Sequence, residues 1–317
     1  MSALYSYIKS PLNYTGNKYR ILPQIQPYFP KSIGTMVDLF CGGATVGINT
    51  PCKHVICIDN NPHVISLLQY LASCQTEILL HQLSELIEQY HLSFSAKYSY
   101  AFFYNQQQNT TNSNNGLKEY NTTGFYELRA DYNALFDKYS GHANLLLYLL
   151  IVYGFNNDIR FSKDGCYNLP VGKTDLNQNN IRKLRQYIER TKNIQIDFVH
   201  GDFREPRIKD SILSADFVYA DPPYLITDAV YNESNKWNSQ SENALLGLLN
   251  NLLEQQIPFA LSNVLEKGNA KNEPLYNWLQ HNPTLRVIDI DYHYRGAYYN
   301  KKERAGEREI LIIPQYG

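Results

Sequence analysis

The run DFVYADPPYLI opens with five residues, Asp216 to Ala220, that read as the end of a buried strand, and continues into Asp221, Pro222, Pro223 and Tyr224. Proline fixes its own φ and drives the residue before it into extended conformations. Asp221-Pro222-Pro223 is therefore a stiff exit loop, rich in acceptors and poor in donors. The Asp221 carboxylate and the Pro222 carbonyl can accept both hydrogens of one –NH2 group. The Tyr224 ring can stack on the flat heterocycle bearing that group, a contact worth about 1–3 kcal/mol. Two acceptors gripping the hydrogens pull the nitrogen toward tetrahedral geometry and aim its lone pair at an electrophile. The chemistry is orientation and electrostatic preorganisation, without a strong general base.

Three further loops carry chemically useful residues. In DLFCGGATVGIN, Gly42 and Gly43 follow a strand and open a helix, where glycines let a ligand approach the backbone. Asp59 lies 17 positions after Gly42 at the end of the next strand, where doubly wound folds place an acid for a ribose diol. The same residues would equally make a tight turn and a helix cap. In Gly201-Asp202-Phe203, the acid suits an adenine amino group and the ring suits the base, or Asp202 caps a helix. In PLNYTGNKY, Tyr14 suits a ring contact and Lys18 a carboxylate, and the segment also reads as an ordinary loop.

These loops need elements to position them. Strands are expected up to Phe40, from His54 to Asp59, up to Gly201–Asp202, up to Ala220, and over PFALSNV. Helices are expected from near Pro62 and over SENALLGLLNNLLEQQ. Strands alternating with helices imply an α/β fold with a doubly wound, mostly parallel sheet. Residues 75–175 break this rhythm. They read as helical, with LLLYLLIVY (145–153) a buried helix, and they end in IRFSKDGCYNLPVG. There two strand-like pieces flank Asp164-Gly165, a hairpin-turn signal. The Asn-rich stretch 105–123 reads as a mobile loop.

Composition bounds the class. At 317 residues and 44% hydrophobic content the chain can build a full core, either as one large domain with an insertion or as two. Five cysteines without a paired framework point to reduced thiols and a cytoplasmic setting. The N-terminus lacks the apolar core of a signal peptide, and 145–153 is too short to span a bilayer, so no membrane association is expected. Cys52, His54 and Cys57 share a segment, but a core strand accounts for His54 and Cys57, so no metal is expected. The net charge of −1 makes no global case for a polyanion. Residues 1–31, 159–210 and 292–317 are nonetheless basic, with acidic stretches between them, and can converge on one surface.

Taken together, DPPY, DLFCGG, NYTGNKY and GDF resemble the motifs of the alpha-class DNA adenine methyltransferases, in family order and over most of the chain. The resemblance implies a sheet of the S-adenosylmethionine-dependent methyltransferase type. It implies transfer of a methyl group from S-adenosylmethionine to the amino nitrogen of adenine in double-stranded DNA, leaving S-adenosylhomocysteine. The target base would be flipped out, since its nitrogen is unreachable inside a duplex. It implies that Tyr14, Lys18, Asp38, Gly42, Asp59, Asp202, Phe203 and Asp221 bind the cofactor, and that Asp221, Pro222 and Tyr224 hold the target base. Residues 1–74 and 176–317 would form the catalytic domain and 75–175 the target-recognition insert. There YGFNNDIRFSKDG is similar to the family's aromatic-Asn segment. Phe155 would wedge into the duplex, and Asn156, Arg160 and Lys163 would contact bases or phosphates. A monomer from a restriction-modification system is expected. The glycine turn CGGATVG departs from a stricter glycine-rich form, and the 105–123 stretch has no counterpart in the family.

Other readings remain at this point. DLFCGG is also similar to the opening of cytosine ring-carbon methyltransferases, with Cys52 as nucleophile, although DPPY has no task there. A catalytically silent DNA-binding relative would keep the fold, and RNA or protein side chains are alternative substrates that the hairpin disfavours.

Overall fold

The computed structural model describes residues 6–107, 113–226, 237–291 and 307–315. Two compact units are present. One comprises Met1–Asn17, Pro62–Asn193 and Asn232–Ser234, the other Lys18–Asn61, Ile194–Tyr231 and Asn235–Gly317.

The second unit is built on a sheet of β1 (Thr35–Leu39), β2 (His54–Asp59), β3 (Gln195–His200), β4 (Phe217–Ala220), β5 (Phe259–Lys267), β6 (Ala270–Lys271), β7 (Leu285–Asp289) and β8 (Glu307–Pro314). The spatial order is β3-β2-β1-β4-β5-β8-β7, with the short β6 paired to β5. Strands β1 to β5 run parallel, and β8 is antiparallel to both β5 and β7. The mostly parallel α/β sheet expected from the alternating pattern is therefore present. β4 is buried along its whole length, as a strand covered on both faces must be, and this explains its unbroken apolar run. Val37, Leu39, Val218 and Ala220 share a core with Leu245, Leu249 and Leu252 of the helix Ser239–Glu254 and with Ile208 and Ile212 of the helix Pro206–Leu213.

Two features of this sheet position a site. The order reverses between β1 and β4, and ligands bind outside the carboxyl ends of strands at such a reversal. The register also sets Leu39, Ile58, Val199 and Ala220 level on their four strands. Whatever follows them emerges along one edge.

The glycine turn corrects one expectation. Gly42 and Gly43 open no α-helix; the chain passes through turns to a three-residue 3-10 helix, Gly47–Asn49. Gly42 (φ 48°) and Ala44 (φ 57°) take left-handed backbone that a right-handed helix cannot contain, and at Gly47 a Cβ would stand 2.9 Å from Val55 Cγ1 and 3.0 Å from Asp38 Oδ2. The turn is pressed onto β1 and β2 at this glycine. Its N–H is bonded to Asp38 rather than to a helical carbonyl, and Pro51 follows at once.

The first unit is helical, with the helices Pro62–Ser73, Thr76–Gln89, Lys118–Ala134, Gly141–Tyr153 and Gln178–Lys192. Residues 75–175 lie wholly inside it. The helix Gly141–Tyr153 is buried from Ala143 to its end, as its apolar run requires. Asp175 ties distant segments together: its carboxylate accepts from Ser93 Oγ at 3.0 Å and from the Ser95 N–H at 2.7 Å and Oγ at 2.6 Å. The expected hairpin is present in short form. Phe161 and Tyr167 pair antiparallel, Gly165 takes φ 74°, and Gly154 pairs with Val171.

The Asn-rich stretch needs a second correction. Residues 118–123 are the start of the helix Lys118–Ala134, and Asn121 is fully buried. Asn121 accepts from the Ser93 N–H at 2.7 Å, so a polar composition here serves an internal partner rather than solvent. Part of the stretch, 108–112, lies outside the described residues.

The same helix generates a stability prediction. A Cβ on Gly124 would fall 1.8 Å from the Tyr90 carbonyl oxygen, which is rigid backbone. Alanine is favoured over glycine in a helix interior by about 1 kcal/mol. Gly124→Ala is nonetheless expected to destabilise the protein by roughly 2 kcal/mol or more, because overpacking wins. Urea denaturation measures it, and a variant as stable as wild type would contradict the close approach.

Candidate active site

The four level strand ends release Phe40, Asp59-Asn60, Gly201-Asp202 and Asp221 along one edge. Phe40 leaves β1 with φ 62°, and Ala44 follows with φ 57°. Left-handed backbone at residues other than glycine costs of order 1–3 kcal/mol and clusters at functional sites. The ring of Phe40 meets Phe203 edge-on with centroids 5.4 Å apart, and Trp237 at 5.5 Å; Phe203 and Trp237 are 5.9 Å apart. These three rings wall a pocket rimmed by Asp59, Asn60, Asp202, Arg204, Asn238 and Ser241.

The acids of the rim are already engaged. Asp59 is buried, and its oxygens accept the N–H groups of Gly42 and Asn61, each at 2.9 Å. Burial pushes its carboxyl above the ordinary carboxylate range, against the lowering effect of those two N–H groups. Asp202 accepts a forked pair from Arg204, Nε at 2.7 Å and Nη2 at 2.6 Å, which holds its carboxyl below the usual range. Asp202 does not cap the following helix; it also accepts the Arg204 N–H at 2.9 Å, and the cap position of the helix Pro206–Leu213 is Glu205. Asp38 is turned away from the edge. Its carboxylate is 1% exposed and accepts the Gly47 N–H at 2.8 Å. Gly42 itself sits in the turn with φ 48°.

On the next strand Asp221 donates its N–H to Leu39 O at 3.2 Å, which locks the DPPY exit to the foot of the glycine turn. Lys18, in the 3-10 helix Lys18–Arg20, places Nζ 2.7 Å from Asp221 Oδ2. The Tyr224 hydroxyl donates to Asp221 Oδ1 at 3.0 Å. Lys18 Nζ also stands 5.2 Å from the centre of the Tyr224 ring. Burial pushes the Asp221 carboxyl up, and the Lys18 charge with the two hydrogen bonds opposes the rise.

A residue that sequence reasoning passed over completes this cluster. Glu309 lies on β8 opposite Val264 of β5. Its Oε1 is 3.2 Å from the Tyr224 hydroxyl and 3.8 Å from Lys18 Nζ. An antiparallel strand brings its early residues to the edge where its parallel neighbours end, so an acid at the start of EILIIP faces the site. The signal in the sequence is slight, an acid directly before the apolar run ILII of β8. Trp237 was missed as well. Its Nε1 donates at 2.6 Å to Glu242, a fully buried acid that also accepts from Asn263 at 3.0 Å and Asn272 at 2.8 Å.

The remaining expected residues belong to the first unit. Tyr14 lies there, so the NYTGNKY segment is divided between the units at Lys18. Phe155 is 46% exposed, an aromatic ring left in solvent, and Asn156 takes φ 56° beside it. Arg160 donates to Asn168 Oδ1 at 2.8 Å across the hairpin, and Lys163 is exposed near its tip. Cys52, the alternative nucleophile, has its thiol pushed up to about 11, first by burial, and it is thus held protonated. Among the described residues no group of His, Cys, Asp or Glu is arranged to hold a metal ion, and no helix is long and apolar enough to cross a membrane.

A ring-walled, acid-rimmed pocket at the reversal of a mostly parallel sheet, with an Asp-Pro-Pro-Tyr exit beside it, defines an α/β protein equipped for a flat nucleoside ligand and an amino group. The comparison with known sequences makes this specific. The pattern of the D12 class N6 adenine-specific DNA methyltransferases matches residues 14–295, and the chain belongs to that family. It is 32% identical over 318 residues to the modification methylase StsI of Streptococcus sanguinis and 33% identical over 317 residues to the type II methyltransferase M.FokI of Planomicrobium okeanokoites. Both alignments cover 98% of this chain, which spans only 44% and 43% of those relatives. The DNA adenine methylase of Escherichia coli K12 is 26% identical over 260 residues, covering 80% of this chain and 79% of its own length.

The buried Asp38 yields a pH prediction. Its carboxyl is pushed up to about 7 by burial, with the Gly47 N–H opposing and the Asp221 and Asp59 charges adding to the rise. A carboxyl raised in the folded state binds a proton there that the unfolded chain releases. The stability it contributes is full below about pH 4 and is lost as pH rises to about 7. Asp38→Asn, whose amide oxygen still accepts from Gly47, is expected to flatten the decline in melting temperature across that window. Parallel melting curves of wild type and variant would refute this.

Proposed function

We propose that this chain transfers a methyl group from S-adenosylmethionine to the exocyclic amino nitrogen of adenine in double-stranded DNA, with the base flipped out of the helix. The observation that carries the reading is Asp221 joined by its own N–H to the strand that ends in the ring-walled pocket. The pocket's donor set fits the cofactor. Phe40, Phe203 and Trp237 supply faces and edges for an adenine, Asp202 accepts from its amino group, and the lone pairs left on Asp59 suit a ribose diol. Gly42 and Asp38 act by shaping the turn, Asp38 through Gly47, and Lys18 acts through Asp221; a cofactor role for Tyr14 rests on the family resemblance of its segment. When bound, the cofactor supplies an electrophilic methyl group on a sulfonium sulfur. The chain's own part is to hold the amine. The Asp221 carboxylate and the Pro222 carbonyl accept its hydrogens and aim its lone pair, and the Tyr224 ring stacks on the base.

Residues 75–175 are assigned as the target-recognition insert and 1–74 with 176–317 as the catalytic domain. Phe155, exposed and carried on the Gly154–Asn157 turn, is suited to fill the gap a flipped base leaves. Asn156, Arg160 and Lys163 are suited to base edges and phosphates. The relatives named modification methylases support a role in restriction-modification, carried out in the cytoplasm by a monomer.

Asp221→Ala is expected to reduce tritium transfer from labelled S-adenosylmethionine to unmethylated duplex DNA by roughly a thousandfold or more, while a cooperative melting transition persists. RNA and protein are expected to accept no label. Single-molecule sequencing of DNA treated with the wild type is expected to show N6-methyladenine in one sequence context. Label in cytosine, or full activity in the variant, overturns the reading.

A further inference from the structure

The Tyr224 hydroxyl stands between two carboxylates, 3.0 Å from Asp221 Oδ1 and 3.2 Å from Glu309 Oε1. A phenolic hydroxyl carries one proton and can donate it well to one acceptor at a time. Both acceptors lie within hydrogen-bond distance, so rotation of the hydroxyl hydrogen about the C–O bond chooses between them. Asp221 meanwhile receives Lys18 Nζ on Oδ2 and the hydroxyl on Oδ1. Each oxygen keeps a further lone pair, but the hydroxyl on Oδ1 crowds and weakens the acceptor that the function proposed above offers to an incoming amine. Glu309 is 9% exposed, and its strand is held on both sides, by β5 and by β7. A carboxylate this enclosed is a fixed acceptor.

We propose that Glu309 is a positioning residue that takes over the Tyr224 hydroxyl hydrogen bond, freeing Asp221 Oδ1 to accept from the target amine. The inference rests on the functional reading of Asp221 given above. It assigns Glu309 no contact with the base or the cofactor. Its effect runs through Tyr224, whose ring is left to stack while its hydroxyl is held away from Asp221. The Tyr224 hydroxyl itself stays protonated, since burial and the two neighbouring carboxylates push its pKa well up. It therefore acts as a donor throughout.

The prediction that separates this from a structural role is an inversion. In Glu309→Ala the hydroxyl loses its second acceptor and stays on Asp221. Single-turnover methyl transfer to unmethylated genomic DNA is expected to slow by about tenfold or more. Adding Tyr224→Phe removes the hydroxyl but keeps the ring, so the double variant is expected to be faster than Glu309→Ala alone. A double variant as slow or slower overturns the proposal. Should Glu309→Ala fail to fold, Glu309→Gln replaces it. Its amide oxygen is a weaker acceptor, so the same order with a smaller loss is expected. A second readout needs no cofactor or DNA. The Asp221 carboxyl is titrated by 13C NMR in ligand-free protein, assigned by its loss in Asp221→Asn. Removing Glu309 is expected to lower the Asp221 pKa more in the wild-type background than in Tyr224→Phe, where no hydroxyl is shared. Equal shifts overturn the proposal. If the wild type transfers no methyl group, the functional reading fails, and the titration still decides whether the hydroxyl is shared.

Discussion

An ammonium group buried between two carboxylates is the interaction on which the rest of this site depends. Lys18 is 5% exposed and lies 2.7 Å from Asp221 and 3.8 Å from Glu309. Taking such charges out of water costs several kcal/mol for each ion, and removing one partner of a buried set typically costs about 3–5 kcal/mol. A cluster of this kind adds little net stability, but it fixes geometry. Burial pushes the Asp221 carboxyl up, the Lys18 charge opposes that rise, and the Tyr224 ring is held beside the ammonium. A neutral Asp221 would give up one acceptor and present a donor to an amine. The ion pair works against that change, because the Lys18 charge favours the carboxylate.

The sheet supplies what the ion pair cannot. Four strands in one register deliver an aromatic residue, two acids and the DPPY exit to a single edge, and β8 enters from the opposite direction with Glu309. Backbone hydrogen bonds set the spacing, so no side chain has to be placed by a long loop. Strain appears at the one point where the edge must turn a ring inward, Phe40 at φ 62°. The ring then packs against Phe203 and Trp237, and this contact recovers part of the cost.

Much of this was legible in the sequence, for a physical reason. Parallel strands buried on both faces must read as short apolar runs, and the residues that end them sit where ligands bind. Asp59, Asp202, Phe203 and Asp221 were therefore visible at their strand ends. The resemblance to a known family added roles that spacing alone left open. The glycine turn misled because Gly-Gly after a strand usually opens a helix, whereas here Gly42 and Ala44 take left-handed backbone that a right-handed helix cannot contain. The Asn-rich stretch misled because composition does not reveal that Asn121 has a buried partner in Ser93. Glu309 and Trp237 were hidden for a third reason. Each acts through one long-range contact, β8 with β5 and Trp237 with Glu242, and no local pattern encodes a contact between distant segments.

The acids around the glycine turn show how the edge is prepared before any ligand arrives. Asp38 holds the Gly47 N–H, and Asp59 holds those of Gly42 and Asn61. Two backbone donors of the glycine turn, Gly42 and Gly47, and a third at Asn61 before the next helix are thereby turned inward, onto the protein's own carboxylates. A turn built this way is poorly suited to a phosphate, which needs those donors free. The carboxylates that take these donors are in turn held in place by them. The internal hydrogen bonding of the turn thus occupies backbone donors that a phosphate would need, through groups that no motif displays.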